Sequence, residues 1–351
     1  MLPVSDRQKA ILFTIIRSFV ADGAPVSSGA VAASPMVDVS SATIRNVMAE
    51  LEVLGLVRQP HTSAGRIPTP AGLRIFVDSL ASSGGDGLGS MSEIERAMLL
   101  GSMSAGGASV EQTARQTGVL MSQFASLASI VSLPAMRMAK LVDLHLSMLG
   151  DGRVLAMVIT DDGQLVHRIV KLEDRAPTGG QLVRMQNYLS ALVEGLTLEQ
   201  VRQRVRVELE MAERAYNDVL RTALEIGSRA VEAIPPQIYI EGTLNFLEYA
   251  ELTEDVTRLK ELLEAVQERE LMMELVEHLW ESTSPAVFIG PEMPGPFEEL
   301  SVIICGYKRG GEQVGVLGLM GPTRMDYERA ITLVGQTALL LSRALDQSQT
   351  S

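Results

Sequence analysis

A single cysteine in 351 residues leaves Cys305 without an internal disulfide partner and excludes a cysteine-cluster metal site, which fits a reducing compartment. Aromatic residues are scarce at 4%, so the cores must be built from Leu, Val, Ile, Ala and 18 Met. Such cores adapt readily and specify one packing less strictly than aromatic or branched ones. No apolar run is long enough to span a bilayer. The apolar stretch at 10–16 follows Asp6, Arg7 and Lys9 and reads as an amphipathic helix, not a signal peptide. A cytoplasmic chain with no membrane partner is expected. Apolar residues at 46% and charged residues at 21% exclude a disordered tail or a collagen-like fibre, and the length suits about two or three domains.

Positive charge is also in short supply. The net charge is −13, which by itself argues against nucleic acid, but the sum hides an asymmetry. Residues 1–80 hold seven Lys/Arg against six acids, while the remaining 271 residues hold 23 against 37. A near-neutral head on an acidic body marks where an anionic partner could dock. The four histidines, His61, His145, His167 and His278, show no His-x-x-x-His or His-Glu spacing for zinc. Cys305 sits in the apolar run Val302-Ile303-Ile304-Cys305 and reads as a core residue. No catalytic constellation is present, so neither an enzyme nor a cofactor is expected.

What is present begins with clear punctuation. Ser5 predicts a helix over 6–21, stopped by Gly23 and Pro25. Ser27 or Ser28 opens a second, and Ser40 or Ser41 opens a third that ends at Gly55. On the third, Ile44, Val47, Met48 and Leu51 make one buried stripe. Two short strands, at 56–59 and near Ile67, flank the loop 61–66, and a last helix follows Thr69-Pro70. Together these spell a winged helix-turn-helix. Residues 81–91 read as a flexible tether by composition. Capping boxes at Ser92-x-x-Glu95 and Ser109-x-x-Gln112 open two more helices. A three-strand meander is expected over 138–170, then a helix at 181–194 and one long helix at 198–234. That last helix would span roughly 55 Å. A strand at 237–241, a helix at 254–281, strands at 286–289, 300–307 and 313–320, and a closing helix from about 326 to 345 complete the pattern. Strands, then helices, then strands suggest one α+β domain interrupted by a helical insertion; three domains in simple order is the alternative.

The stripe on the third helix leaves Ser41, Ala42, Thr43, Arg45, Asn46 and Ala49 facing outward. Hydroxyls at a helix N-terminus can hold phosphate, Arg45 can fork onto guanine, Asn46 onto adenine, and the two alanines keep the helix slim enough for a major groove. His61, Thr62, Ser63 and Arg66 supply donors and a mobile cation from the wing. A protein-binding winged helix with a solvated polar face fits the same spacing. So little charge means few phosphate contacts, so useful affinity would require two heads on one DNA.

The runs Ala24-Pro25-Val26-Ser27-Ser28, Ser40-Ser41-Ala42-Thr43-Ile44-Arg45-Asn46-Val47-Met48-Ala49-Glu50-Leu51-Glu52 and Gln59-Pro60-His61-Thr62-Ser63-Ala64-Gly65-Arg66-Ile67-Pro68-Thr69 resemble the heat-inducible transcription repressor HrcA family. So do the later blocks Tyr239-Ile240-Glu241-Gly242-Thr243-Leu244-Asn245 and Gly321-Pro322-Thr323-Arg324-Met325-Asp326-Tyr327. The resemblance covers nearly the whole chain. It implies a homodimeric repressor of chaperone genes that binds an inverted-repeat operator in double-stranded DNA, leaves it on heat stress, and is kept active with the help of a chaperonin. It also implies an α+β architecture: an N-terminal winged helix-turn-helix, then a GAF-like antiparallel-sheet domain interrupted by a mainly helical inserted dimerisation domain. The expected boundaries are 1–80 for the head, 81–91 for the linker, 92–172 and 285–351 for the GAF-like domain, and 173–284 for the insertion. A small-molecule-sensing winged-helix regulator, with its ligand in the GAF-like domain, is the competing reading.

Overall fold

The computed structural model describes residues 4–37, 39–61, 64–82, 90–103, 110–132, 140–161, 165–172, 177–214, 218–231, 238–279, 284–293 and 295–347. The head follows its punctuation. The Ser5 hydroxyl accepts from the Gln8 N–H and the Gln8 side chain accepts from the Ser5 N–H, a reciprocal cap that opens α1 (Asp6–Asp22). Ser27 caps α2 (Ser28–Ala32), and Ser40 caps α3 (Ser41–Val53) by accepting from the Thr43 N–H at 3.2 Å. Two-residue strands β1 (Val57–Arg58) and β2 (Ile67–Pro68) pair antiparallel as the wing. The Thr69 hydroxyl then accepts from the Gly72 N–H at the start of α4 (Pro70–Ser82). Ile44, Val47, Met48 and Leu51 of α3 are buried with Ile11, Leu12, Ile15 and Ile16 of α1.

The remaining elements are α5 (Glu93–Met103), α6 (Val110–Ala125), β3 (Ala128–Ser132), β4 (Leu141–Gly150), β5 (Arg153–Thr160), β6 (Leu165–Lys171), α7 (Gly179–Val193), α8 (Leu198–Arg214), α9 (Asp218–Val231), β7 (Ile238–Glu241), α10 (Ala250–Thr253), α11 (Val256–Gln267), α12 (Arg269–His278), β8 (Ala286–Ile289), β9 (Leu300–Arg309), β10 (Glu312–Pro322) and α13 (Tyr327–Gln347). Five strands form one antiparallel sheet in the order β7-β3-β10-β9-β8. Strand β9 is buried on both sides. Its Ile303, Cys305 and Tyr307 share a core with Leu333 and Leu341 of α13, and its Val302 and Ile304 share another with Leu262 of α11 and Leu275 of α12. Helices therefore cover both faces, and the α+β expectation holds.

The chain forms two compact units, Met1–Leu133 with Ile238–Ser351, and Pro134–Gln237. This corrects the expected boundaries. The meander β4-β5-β6 makes its own three-stranded sheet instead of joining the larger one, so the insertion starts near 134. Residues 238–284 belong to the larger unit, because β7 pairs with β3 and α11 and α12 cover the sheet. The insertion thus interrupts neighbouring strands: Ser132 and Ile238 are register partners.

Several elements also differ from expectation. The single helix over 198–234 is two helices, α8 and α9, that pack on each other and bury Val201, Val205, Ala223, Leu224 and Ile226 in one core; residues 215–217 lie outside the described residues. Folding the stripe on itself supplies the cover that a lone 55 Å helix would lack. The expected helix over 254–281 breaks at Glu268, whose backbone is extended, into α11 and α12. Strand β3 was not expected. Ser109, expected as a cap, lies outside the described residues, whereas Ser92 and Glu95 form their box as expected. Of the expected tether, 83–89 lie outside the described residues, while α4 runs to Ser82 and Met91 is buried.

The inserted unit buries one sheet face. Leu144, Leu146, Val154, Ala156 and Val158 pack with Leu182, Met185 and Leu189 of α7 and with α8 and α9. The other face carries Leu155, Met157, Ile159, Leu165 and Ile169; Leu165 and Ile169 are 58% and 57% exposed. His145, Met157 and His167 lie in one cross-strand row.

Candidate nucleic-acid interface

Helix α3 presents two surfaces. Its stripe is buried, while Ala42, Arg45, Asn46 and Ala49 are exposed and Ser41 and Thr43 are half-buried. The Arg45 Nε donates to the Ser28 hydroxyl of α2 at 3.3 Å. This holds the side chain over the α2–α3 turn and leaves its two terminal nitrogens for a fork. Of the six helix residues expected at a base-reading surface, Ala42, Arg45, Asn46 and Ala49 are therefore exposed along one side of α3, and Ser41 and Thr43 lie half-buried in its first turn, which Ser40 caps.

The wing differs from expectation. His61 is exposed, and its carbonyl accepts from the Ala64 N–H. Thr62 and Ser63 lie outside the described residues. Arg66 is not a mobile cation: its Nη2 pairs with Glu52 of α3 at 2.8 Å and its side chain is only 18% exposed. Its Nε is buried without a hydrogen-bond partner, and its backbone exchanges two hydrogen bonds with Val26. Gly65 permits that crossing, because a Cβ there would lie 2.3 Å from the Val26 carbonyl oxygen. Arg66 thus fastens the wing base to α3.

Of the head's seven cations, Arg17, Arg66 and Arg74 are engaged by Glu328, Glu52 and Glu292 respectively. Arg7, Lys9, Arg45 and Arg58 have no ion-pair partner among the described residues. Arg58 is a residue the sequence reading missed; alternation on β1 turns Val57 inward and Arg58 out onto the wing. Burial disfavours the charge on Arg74, but hydrogen bonding and attraction to Glu292, helped by Asp78, outweigh it and raise its pKa. Arg74 also donates to the Val287 carbonyl at 2.7 Å.

A winged helix-turn-helix transcription-repressor model, HrcA DNA-binding, matches residues 3–77, and the HrcA protein C-terminal domain matches residues 111–331. The chain belongs to the HrcA family. Heat-inducible transcription repressor HrcA of Geobacter sulfurreducens is 33% identical over 99% of both chains. That of Sorangium cellulosum is 34% identical over 97% of both. A hypothetical protein solved at 2.2 Å shares the fold, with a TM-score of 0.64 and 24% identity, covering 99% of this chain and 100% of that one. The HrcA winged-helix match encloses α1 to α4, including the whole exposed surface of α3. The matched C-terminal domain encloses the insertion together with the strands on either side of it. No helix among the described residues of this HrcA-family chain is long and apolar enough to cross a membrane. Among the same residues no three His, Cys, Asp or Glu side chains gather as metal donors.

Proposed function

We propose that this chain represses heat-shock gene transcription as a cytoplasmic homodimer whose two α3 helices enter successive major grooves of an inverted repeat. The observation that carries this reading is the slim, exposed face Ala42-Arg45-Asn46-Ala49 on an HrcA-type head. Ser41 and Thr43 hold phosphate at the helix start, Arg45 and Asn46 read base edges, and His61, Thr62, Ser63 and Arg58 touch the backbone beside the wing. Arg66 serves by holding the wing in place. Two-fold protein symmetry then requires a palindromic site.

The uncovered sheet face of the insertion supports pairing through a second copy. It is apolar in the middle, with Asp143 at one end and Arg153 and Lys171 at the other. A two-fold axis lying in the contact plane and crossing the strands sets each acid end against a basic end. Release on heating follows from loss of packing in a Met-rich body, and recovery of exposed forms is a task suited to a chaperonin.

The test is binding of the full chain to inverted repeats selected from a random pool. Arg45→Ala should weaken selected sites about ten- to hundred-fold and leave random DNA unchanged. Equal losses on both would remove the base-reading role, and no retention of any inverted repeat would remove the repressor reading.

A further inference from the structure

The sheet domain carries a cleft of about 510 Å³ between α13 and the outer half of β9, with no residue of α3 in its lining. Its volume suits a small organic molecule. Pro285, Ile331, Ala338 and Leu339 form apolar walls, and Leu339 is 62% exposed although it lies on an otherwise well-covered helix. Most polar groups here are already committed. The Ser342 hydroxyl donates to the Ala338 carbonyl and accepts from the Lys308 N–H, and the Thr332 hydroxyl donates to the Glu328 carbonyl. Ser90, Ser284 and Gln336 also line the cleft, and the cation of its lining is Lys308, an exposed residue with no carboxylate partner among the described residues. An apolar trough with one uncommitted cation is complementary to a molecule with an apolar body and one negative end.

We propose that this cleft binds a small amphiphilic carboxylate, with its chain or ring against Pro285, Ile331 and Leu339 and its carboxylate on Lys308. Occupancy braces α13, the helix whose Glu328 holds Arg17 of the head, so the ligand would be sensed at the DNA-binding end. Cys305, the only cysteine in the chain, lines the same cleft and serves as a reporter. Burial pushes its thiol up to about 11, with the nearby Lys308 charge opposing, so its alkylation is slow and is measurable at alkaline pH.

The experiment uses the full chain and three probes below micelle-forming concentrations: decanoate, decan-1-ol and acetate. Decanoate should raise the unfolding midpoint and slow alkylation of Cys305 by N-ethylmaleimide, at concentrations about ten-fold lower than decanol requires. Acetate should do neither. Lys308→Met, which keeps the stem, should erase the preference for decanoate over decanol. Leu339→Ser should weaken both. Equal action of decanoate and decanol on wild type, or an unchanged preference in Lys308→Met, overturns the carboxylate assignment. Protection of Cys305 that rises with protein concentration and ignores decanoate also overturns it and assigns this face to a second copy. Operator binding is read separately, so a failure here leaves the repressor reading standing.

Discussion

The Arg324 Nη1 donates to the Val20 carbonyl at 3.2 Å, so a side chain from the loop before α13 closes the last turn of a head helix. The same guanidinium pairs with Glu251 at 2.8 Å and lies over the Tyr249 ring at 5.7 Å. It also passes against Gly23, whose φ of +67° and missing side chain accommodate it; a Cβ there would lie 3.0 Å from Nη1. Arg17 to Glu328 at 2.7 Å and Arg74 to Glu292 and the Val287 carbonyl add two further ties. Head and sheet domain thus share one apolar core and three arginine ties.

Weakening these ties should loosen the head without unfolding the sheet. Single partly exposed pairs contribute about 0.2–1 kcal/mol each, so the combined Arg74→Met, Arg324→Met variant is the informative one. Amide exchange in α1 and α4 should quicken about ten-fold while α11 and α12 keep their protection. Unchanged exchange in α1 would show that the apolar core alone holds the head.

Arg66 and Arg58 should behave as opposites. Losing Arg66 leaves Glu52 unpaired and loosens the wing, so Arg66→Ala should weaken binding to every sequence and leave the salt dependence as it was. Arg58→Ala should make the slope of log affinity against log salt shallower by about 0.9 per head. With four unengaged cations per head, two heads on one DNA should show a slope no steeper than about −7. Titrations from low to moderate salt decide both points.

The contrast between those two arginines shows what the sequence made legible. The head was readable because its signals are local: serine caps, Gly23 and Gly55 after helix ends, and Thr69-Pro70 at a helix start. Arg66 looked exposed because its partner Glu52 is distant in sequence, and only the fold brings them together. Strand β3 escaped because Ala128–Ser132 is buried on both faces and so lacks the alternation that marks a half-buried strand. The hairpin of α8 and α9 escaped because one helical stripe runs through both segments, and periodicity does not report a reversal. The insertion's true ends escaped because the meander's alternation says nothing about which sheet it joins.

Glu95 offers a pH test. Burial disfavours its charge, but hydrogen bonds from the Ser92 N–H and hydroxyl and the nearby Arg329 outweigh that and lower its pKa. A carboxylate lowered on folding stabilises fully above its unfolded value of about 4.3, and that contribution fades as pH falls through the folded value. Melting of wild type and Glu95→Gln should therefore differ at pH 6 and converge as the pH drops well below 4. A constant difference at all pH values would mean the charge is not what matters.

A charge placed on the open face of the insertion should weaken the proposed pairing of two copies. Met157→Asp, on the central strand β5 of that face, should leave the circular dichroism unchanged and raise the dissociation constant of the proposed dimer by about a hundred-fold or more, since a buried carboxylate without a partner is costly. Sedimentation over a dilution series measures this directly. A dimer as tight as wild type would place the contact elsewhere.

The pairing of Ser132 with Ile238 makes the insertion a removable cassette. Ser132 is already secured within the larger unit by the Tyr307 hydroxyl on its carbonyl and by the Val316 N–H on its own hydroxyl. A two-residue turn joining the same ends would return the larger unit to an ordinary hairpin, and foreign modules with adjacent termini could be spliced there to impose a chosen spacing on the two heads.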